Sequence, residues 1–328
     1  MLTPRGPIET SSVRKSLRIT LITLGALVAV PVLALATTTV VNVVATHVEA
    51  SEIDDYGERV PVDGKQMNVV VRGAGTTSDT GTIVLLPGLG TAAPGLDFGP
   101  LIDQLARSHR VVAVEPFGTG LSDQTDVPRT AANITREVHE ALQHLHVDRY
   151  VLMGHSVAGI YALPYTERYR DEVTAFIGID SSVPRQSSWD EPIPTGTIVA
   201  LDRLGLLRAL GGASSDTYGD AYDDGTKRQM QLLSAKNGAA PTIIDEMRHA
   251  PENFRSVDDS RFPTDLPVLL FVRTNDDDVP NWVLLHERQA ASVEHGRVIG
   301  LVGDHYLHHT LSERIARDTD ATLATLGA

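Results

Sequence analysis

The sequence predicts an α/β fold, with a mainly parallel sheet covered by helices on both faces. Three observations predict it. Short apolar runs at 82–86, 111–114, 151–153, 175–179 and 267–272 have the length and β-branched content of buried strands. Helical periodicity fills about 99–108, 131–146, 156–169, 281–294 and 309–326 between and after them. Strands that alternate with helices pair in parallel, because each crossover helix carries the chain back across the sheet. Finally, 328 residues with a hydrophobic share of 42% suffice for one large α/β domain with an insertion, or for two smaller ones.

The most informative segment is Val151-Leu152-Met153-Gly154-His155-Ser156-Val157-Ala158-Gly159. A short apolar strand runs into a turn flanked by small residues that presents a serine. Such a turn lifts a hydroxyl above the sheet and aims backbone N–H groups at a reacting carbonyl. Gly154 fits the close approach of strand and helix, and Ala158 stands where the pattern Gly-x-Ser-x-Gly has its second glycine, with Gly159 next. The same string also describes an ordinary strand-to-helix turn, so the catalytic reading depends on the rest of the chain.

Four further segments occur in a matching order. They are Thr82-Ile83-Val84-Leu85-Leu86-Pro87-Gly88-Leu89-Gly90, the strand and turn 111–123 containing Glu115 and Gly118-Thr119-Gly120, the strand and acidic loop 267–280, and Gly303-Asp304-His305 after the strand 297–302. Together with the serine turn, they resemble the α/β-hydrolase superfamily over about residues 60–328. The resemblance implies an α/β-hydrolase fold, a Ser-Asp-His catalytic order and an oxyanion hole formed by the backbone N–H groups of Leu89 and Val157. It places the nucleophile at Ser156, the acid at Asp276 and the base at His305. Asp277 is the alternative acid, and the spacing to Val279-Pro280 favours Asp276. The chain departs from the family pattern at Pro87 (commonly His), Glu115 (commonly Asp), Ala158 (commonly Gly) and Arg273 (commonly Gly).

Each piece also has a plainer reading. An acidic run is usually a solvated loop, and most of the twelve histidines must be structural. His305, His308 and His309 have spacing that imitates a metal site, but no carboxylate helix or cysteine pair accompanies them, and His286-Glu287 lacks the second histidine of a zincin motif because Ala290 occupies its place. The expectation is therefore no metal and no cofactor. The absence of cysteine excludes disulfides and thiol catalysis.

The net charge of −14 argues against nucleic-acid partners and against polyanionic substrates. The excess is larger beyond the N-terminus, with residues 19–328 at net −17. Arg14, Lys15 and Arg18 precede an uncharged run from Ile19 to Thr46, long enough to cross a bilayer core of about 30 Å. Ala34-Leu35-Ala36 offers a signal-peptide cleavage site, so secretion is the alternative, but the apolar run extends on both sides of it and favours an uncleaved anchor. The basic flank places the N-terminus in the cytoplasm and the catalytic domain outside.

The expected organisation is a cytoplasmic segment 1–18, a transmembrane anchor 19–46, a linker 47–66, hydrolase core at 67–183 and 263–328, and a lid insertion at 184–262. Within the lid, 198–210 reads as one amphipathic helix whose Leu201, Leu204 and Leu207 share a face, with shorter helices at 228–235 and 242–249. The resemblance implies that the lid shapes the substrate pocket. The leading functional reading is a membrane-anchored, carboxylesterase-like serine hydrolase acting on a neutral small-molecule ester or amide. One alternative is a proline-iminopeptidase-like aminopeptidase in which Asp216, Asp220, Asp223 or Asp224 receives a substrate ammonium. Another, of a different class, is a noncatalytic binding protein on the same fold.

Overall fold

Five of the eight strands are buried on both faces, and the position of the site follows from their order. The computed structural model describes residues 10–73, 81–189, 191–211, 218–276 and 279–326. Eight strands form one sheet: β1 (Glu58–Val62), β2 (Lys65–Arg72), β3 (Thr82–Leu86), β4 (Arg110–Glu115), β5 (Tyr150–His155), β6 (Val173–Ile179), β7 (Val268–Arg273) and β8 (Gly296–Leu301). Their order is β1-β2-β4-β3-β5-β6-β7-β8. The β1–β2 and β2–β4 pairs are antiparallel, and every pair from β4 to β8 is parallel. The parallel strands therefore end on one edge, where βα loops collect.

The period-two alternation of the strands sorts the core into two layers. Val84, Leu86, Leu152, Phe176 and Leu270 pack with Ile134 and Val138 of α4 (Ala131–His144) and Ile160 and Leu163 of α5 (Ala158–Arg168). On the other face Ile83, Leu85, Met153, Ile177 and Phe271 pack with Leu101 and Leu105 of α3 (Gly99–Leu105) and Ile315 and Leu323 of α12 (Ser312–Leu326). The remaining helices of this part are α2 (Pro94–Asp97), α8 (Asp224–Asn237), α9 (Pro241–Ser256), α10 (Trp282–Ala290) and α11 (Leu307–Thr310). Thr130 caps α4 and Asp223 caps α8, each side chain accepting a backbone N–H of the first turn.

Two expectations change. Residues 58–66, read as part of a linker, hold β1 and the start of β2. The turn between them is Asp63-Gly64, at φ +49° and +73°, a pair of positive angles that suits a two-residue hairpin. The segment read as one lid helix over 198–210 is two helices, α6 (Thr195–Arg203) and α7 (Leu206–Gly211), broken at Gly205, whose φ is +71°.

Chain packing defines two units. One contains residues 49–196 and 216–328, and the other contains residues 1–48 and 197–215. The second is dominated by α1 (Thr10–Glu49), a single 40-residue helix. Within its stretch Lys15–Glu49 an 18-residue window reaches a mean hydropathy of 2.5 and the apolar side chains are exposed, so it is long and apolar enough to cross a membrane.

Glu115 organises the loops above β3 and β4. Its buried carboxylate accepts from Tyr56 Oη–H (2.7 Å), Asn68 Nδ2–H (2.9 Å), Gly95 N–H (3.0 Å) and Leu121 N–H (2.8 Å). The longer arm of Glu, where the family commonly has Asp, reaches all four. Truncation strands four donors, each costing about 1–3 kcal/mol if left unpaired. Glu115→Ala should therefore lower unfolding stability by at least about 3 kcal/mol in chemical denaturation; a loss below about 1 kcal/mol would show that water replaces the carboxylate.

Candidate active site

Ser156 sits at the tip of the turn between β5 and α5 with φ +55°, a left-handed conformation rare outside glycine and asparagine. The fold holds that strain from both sides. Ser156 N–H donates to Ile179 O, and Ser182 N–H donates to Ser156 O at 2.7 Å. A methyl on Gly154 would lie 2.9 Å from the Ala158 Cβ, and one on Gly159 would lie 2.3 Å from Ser182 O. The tightest packing thus falls one residue later than in the common pattern. Ala is accommodated at 158, and glycine is demanded at 159.

The serine hydroxyl meets an imidazole. Ser156 Oγ lies 2.9 Å from His305 Nε2, on the loop that follows β8. His305 Nδ1 lies 2.7 Å from Asp180 Oδ2. A carboxylate on Nδ1 requires the proton there, which leaves Nε2 free to accept from the serine. The groups open to solvent are the two that would react: Ser156 is half-buried and the His305 side chain is 36% exposed, while the Asp180 side chain is fully buried.

The acid is the main correction to the sequence reading. Asp276 does not contact His305 and instead pairs with Arg273 Nη2 at 2.7 Å and accepts from Val279 N–H. Asp277 and Asp278 lie outside the described residues. Asp180 closes β6, the strand beside β5, and its φ of +42° turns the chain sharply at the strand end. Besides His305, its carboxylate accepts from Trp282 Nε1–H (2.7 Å) and Arg273 N–H (2.9 Å). Burial alone would raise this carboxyl, but these donors and the attraction of His305 hold it below the usual aspartate range. The signal was present in the sequence, since Ile179-Asp180 puts a carboxylate at the carboxyl end of a core strand.

The remaining parts surround the serine. Gly88 abuts it, because a methyl there would lie 2.8 Å from the Ser156 Cβ. Leu89 and Val157 follow Gly88 and Ser156, and among the described hydrogen bonds neither of their N–H groups donates to a protein atom. Val157 also precedes α5, whose N-terminal dipole favours negative charge. A cavity of about 150 Å³ lies beside this loop, lined by Thr91, Asp97, Tyr306 and His309 and by Tyr218, Met230 and Ser234 of the insertion. Leu201, Leu204 and Leu207 do not line it. A larger cleft of about 960 Å³, around Arg149, Arg170 and His295, sits at the opposite ends of β6 and β7 and contains none of these groups.

A second histidine layer supports the His305 loop. His155 Nε2 donates to His305 O at 3.1 Å, and its ring packs 4.7 Å from that of His305. His308 and His309 face the two oxygens of Asp97 at 2.8 and 2.9 Å. These three ligand-type side chains lie within 4.8 Å of one another and form the candidate metal group among the described residues. The sequence alone does not single out Asp97. Its hydrogen bonds are complete without an ion, so the cluster already has a structural role in bracing the loop.

Burial holds the His155 and His308 imidazoles below the ordinary histidine range, most strongly for His155. Both have one nitrogen bonded and Nδ1 without a partner, as neutral rings do. The unfolded chain takes up protons near 6.5 and the folded chain does so only at lower pH, so the unfolded state binds more protons in that window. Stability should fall as the pH drops from about 7 to about 5. The check is denaturation midpoints at both pH values, and His308→Gln should flatten the dependence; an unchanged slope would mean His308 is not one of the groups responsible.

The alpha/beta hydrolase family profile matches residues 83–318, which is more than half of the chain. The chain belongs to the alpha/beta hydrolase family. Among curated relatives of this family member, YbdG of Bacillus subtilis (strain 168) is 31% identical over 139 residues, 42% of each chain. The chain spans about half the length or less of the curated relatives it matches. Similar solved structures include an esterase from Thermogutta terrifontis, with a TM-score of 0.63 at 18% identity, covering 83% of this chain and 100% of that one. A membrane phospholipase A gives a TM-score of 0.60 at 17% identity, covering 95% of this chain and 97% of that one. At such identities the likeness is one of fold.

Proposed function

We propose that this chain is a serine hydrolase, held at a membrane by α1, that cleaves a neutral ester or amide through an acyl-enzyme. The observation that carries the reading is the pair of contacts on one imidazole, Ser156 Oγ at 2.9 Å and Asp180 Oδ2 at 2.7 Å. Ser156 Oγ attacks the substrate carbonyl as its proton passes to His305 Nε2, and the oxygen that gains the electron pair lies against the Leu89 and Val157 N–H groups. Asp180 orients the ring and stabilises its positive form. The tetrahedral species then expels the alcohol or amine, which takes the proton from Nε2. Water, deprotonated by the same nitrogen, attacks the acyl group and releases the acid with Ser156 restored.

The substrate reading is supported by the strongly negative charge, which disfavours polyanions, and by the cavity beside Gly90 and Thr91. The membrane reading is supported by α1 and its basic N-terminal flank. The likeness to the membrane phospholipase extends over 95% of this chain, more than residues 50–328 comprise, so it takes in part of α1.

With a p-nitrophenyl ester as substrate, Ser156→Ala should lose about 10⁴-fold or more in kcat. Asp180→Asn should lose about 10³–10⁴-fold, because the amide favours the wrong imidazole tautomer, while Asp276→Asn should stay within about tenfold of wild type. The opposite order would return the acid to the loop after β7. Fluorophosphonate labelling of wild type but not of Ser156→Ala separates this reading from a noncatalytic binding protein, and aminoacyl amides test the aminopeptidase alternative.

For topology, the hydrolase unit should fractionate with membranes and be degraded by external protease in wall-stripped cells. Protection from the protease, or recovery with soluble cytoplasmic protein, would contradict the anchored, outward-facing reading.

A further inference from the structure

The unit that contains α1 also contains α6–α7, and the two are built to fit one another. Gly205 packs against the backbone of α1, where a methyl would lie 2.4 Å from Thr38 O. Asn42 Nδ2 donates to Asp202 O at 2.9 Å, and Arg208 donates from Nε to Asn42 Oδ1 at 2.8 Å and from Nη2 to Thr46 Oγ1 at 3.0 Å. Residues 38, 42 and 46 lie four apart, on one stripe of the helix. The seat is therefore a specific polar one, formed by a glycine elbow and an asparagine that both donates and accepts.

Its height along α1 follows from the sequence. A hydrocarbon core of about 30 Å takes about 20 helical residues, so a span beginning at Ile19 ends near Thr38. Composition changes at the same place, with Thr37, Thr38, Thr39, Asn42, Thr46 and His47 following an almost wholly apolar stretch. The elbow of α6–α7 thus sits where hydrocarbon gives way to headgroups.

These two helices are rich in apolar residues, and among those whose burial is described none is fully buried. Ile198, Val199, Leu201, Leu204, Leu206 and Leu207 are all only half-buried, and Arg203 is exposed. Each of these aliphatic side chains keeps a minor part of its apolar surface open, and covering it would add a fraction of the roughly 1.5–3 kcal/mol that full burial of such a side chain gains. A short apolar element with a basic residue, fixed at the hydrocarbon boundary, has the composition of an in-plane interfacial helix.

We propose that α6–α7 lies in the outer-leaflet interface of the bilayer, with the open parts of its leucines toward the upper acyl chains. This rests on the reading of α1 as a bilayer span. Within the insertion α6–α7 is then a membrane-contacting element rather than a lid that closes from solution, and chain connections at 196–197 and 215–216 link this part to the hydrolase unit.

The absence of cysteine allows single-site labelling of the full chain. Leu207→Cys, Leu27→Cys and Thr325→Cys are each labelled with an environment-sensitive fluorophore and reconstituted in phosphatidylcholine vesicles carrying a nitroxide lipid, shallow in one set and deep in another. The expected result is strong quenching of the 207 label by the shallow nitroxide, quenching of the 27 label by the deep one, and none at 325. Quenching at 27 with none at 207 would overturn the proposal and leave the anchor intact, including the case in which the 207 label is dry because a second copy covers it. No quenching at 27 would overturn the membrane reading itself.

Discussion

The Asp180 carboxylate is the constraint on which the site depends. It is fully buried at the end of β6, and each donor it binds comes from a different part of the chain: His305 from the loop after β8, Trp282 from α10 and Arg273 from β7. A buried charge with three well-placed donors is tolerable, whereas one with a donor removed is expensive. The same bonds that satisfy the charge therefore fix the height and rotation of the His305 ring. From that ring the distance to Ser156 follows, because Ser156 is separately held by the Ile179 and Ser182 backbone groups. Ser156 and Asp180 thus share one edge between adjacent parallel strands, and His305 is brought to them by the loop that follows β8.

Much of this was legible in the chain. The strands were readable as apolar runs, the serine turn from its small neighbours, and the histidine from its place after the last strand. The acid was harder to read. Two carboxylates follow successive core strands, Asp180 after β6 and Asp276 after β7, and sequence spacing does not reveal which one faces the ring. Three dimensions decide it, since Asp180 lies 2.7 Å from His305 Nδ1 while Asp276 pairs with Arg273 Nη2, a guanidinium whose Nε also lies 3.6 Å from Asp180. Asp97 was invisible for a similar reason. Its role depends on pairing with residues more than 200 positions away.

The N-terminal part shows the opposite behaviour, with strong local signals and an unexpected consequence. Asp63-Gly64 is a hairpin turn that composition alone disguised as linker. Gly205 breaks an apparently continuous amphipathic helix because its left-handed φ and lack of side chain allow the close approach to Thr38. The leucines that sequence periodicity would turn toward a pocket are instead left incompletely buried beside the membrane-spanning candidate. Apolar periodicity identifies a face, but it cannot say whether protein or lipid covers that face.

The most direct test of Asp180 as the partner of His305 observes the His305 Nδ1 proton itself. A downfield proton resonance from the Nδ1–H to carboxylate bond should be present in wild type, persist in Asp276→Asn and vanish in Asp180→Asn. Its loss in Asp276→Asn and survival in Asp180→Asn would contradict that pairing.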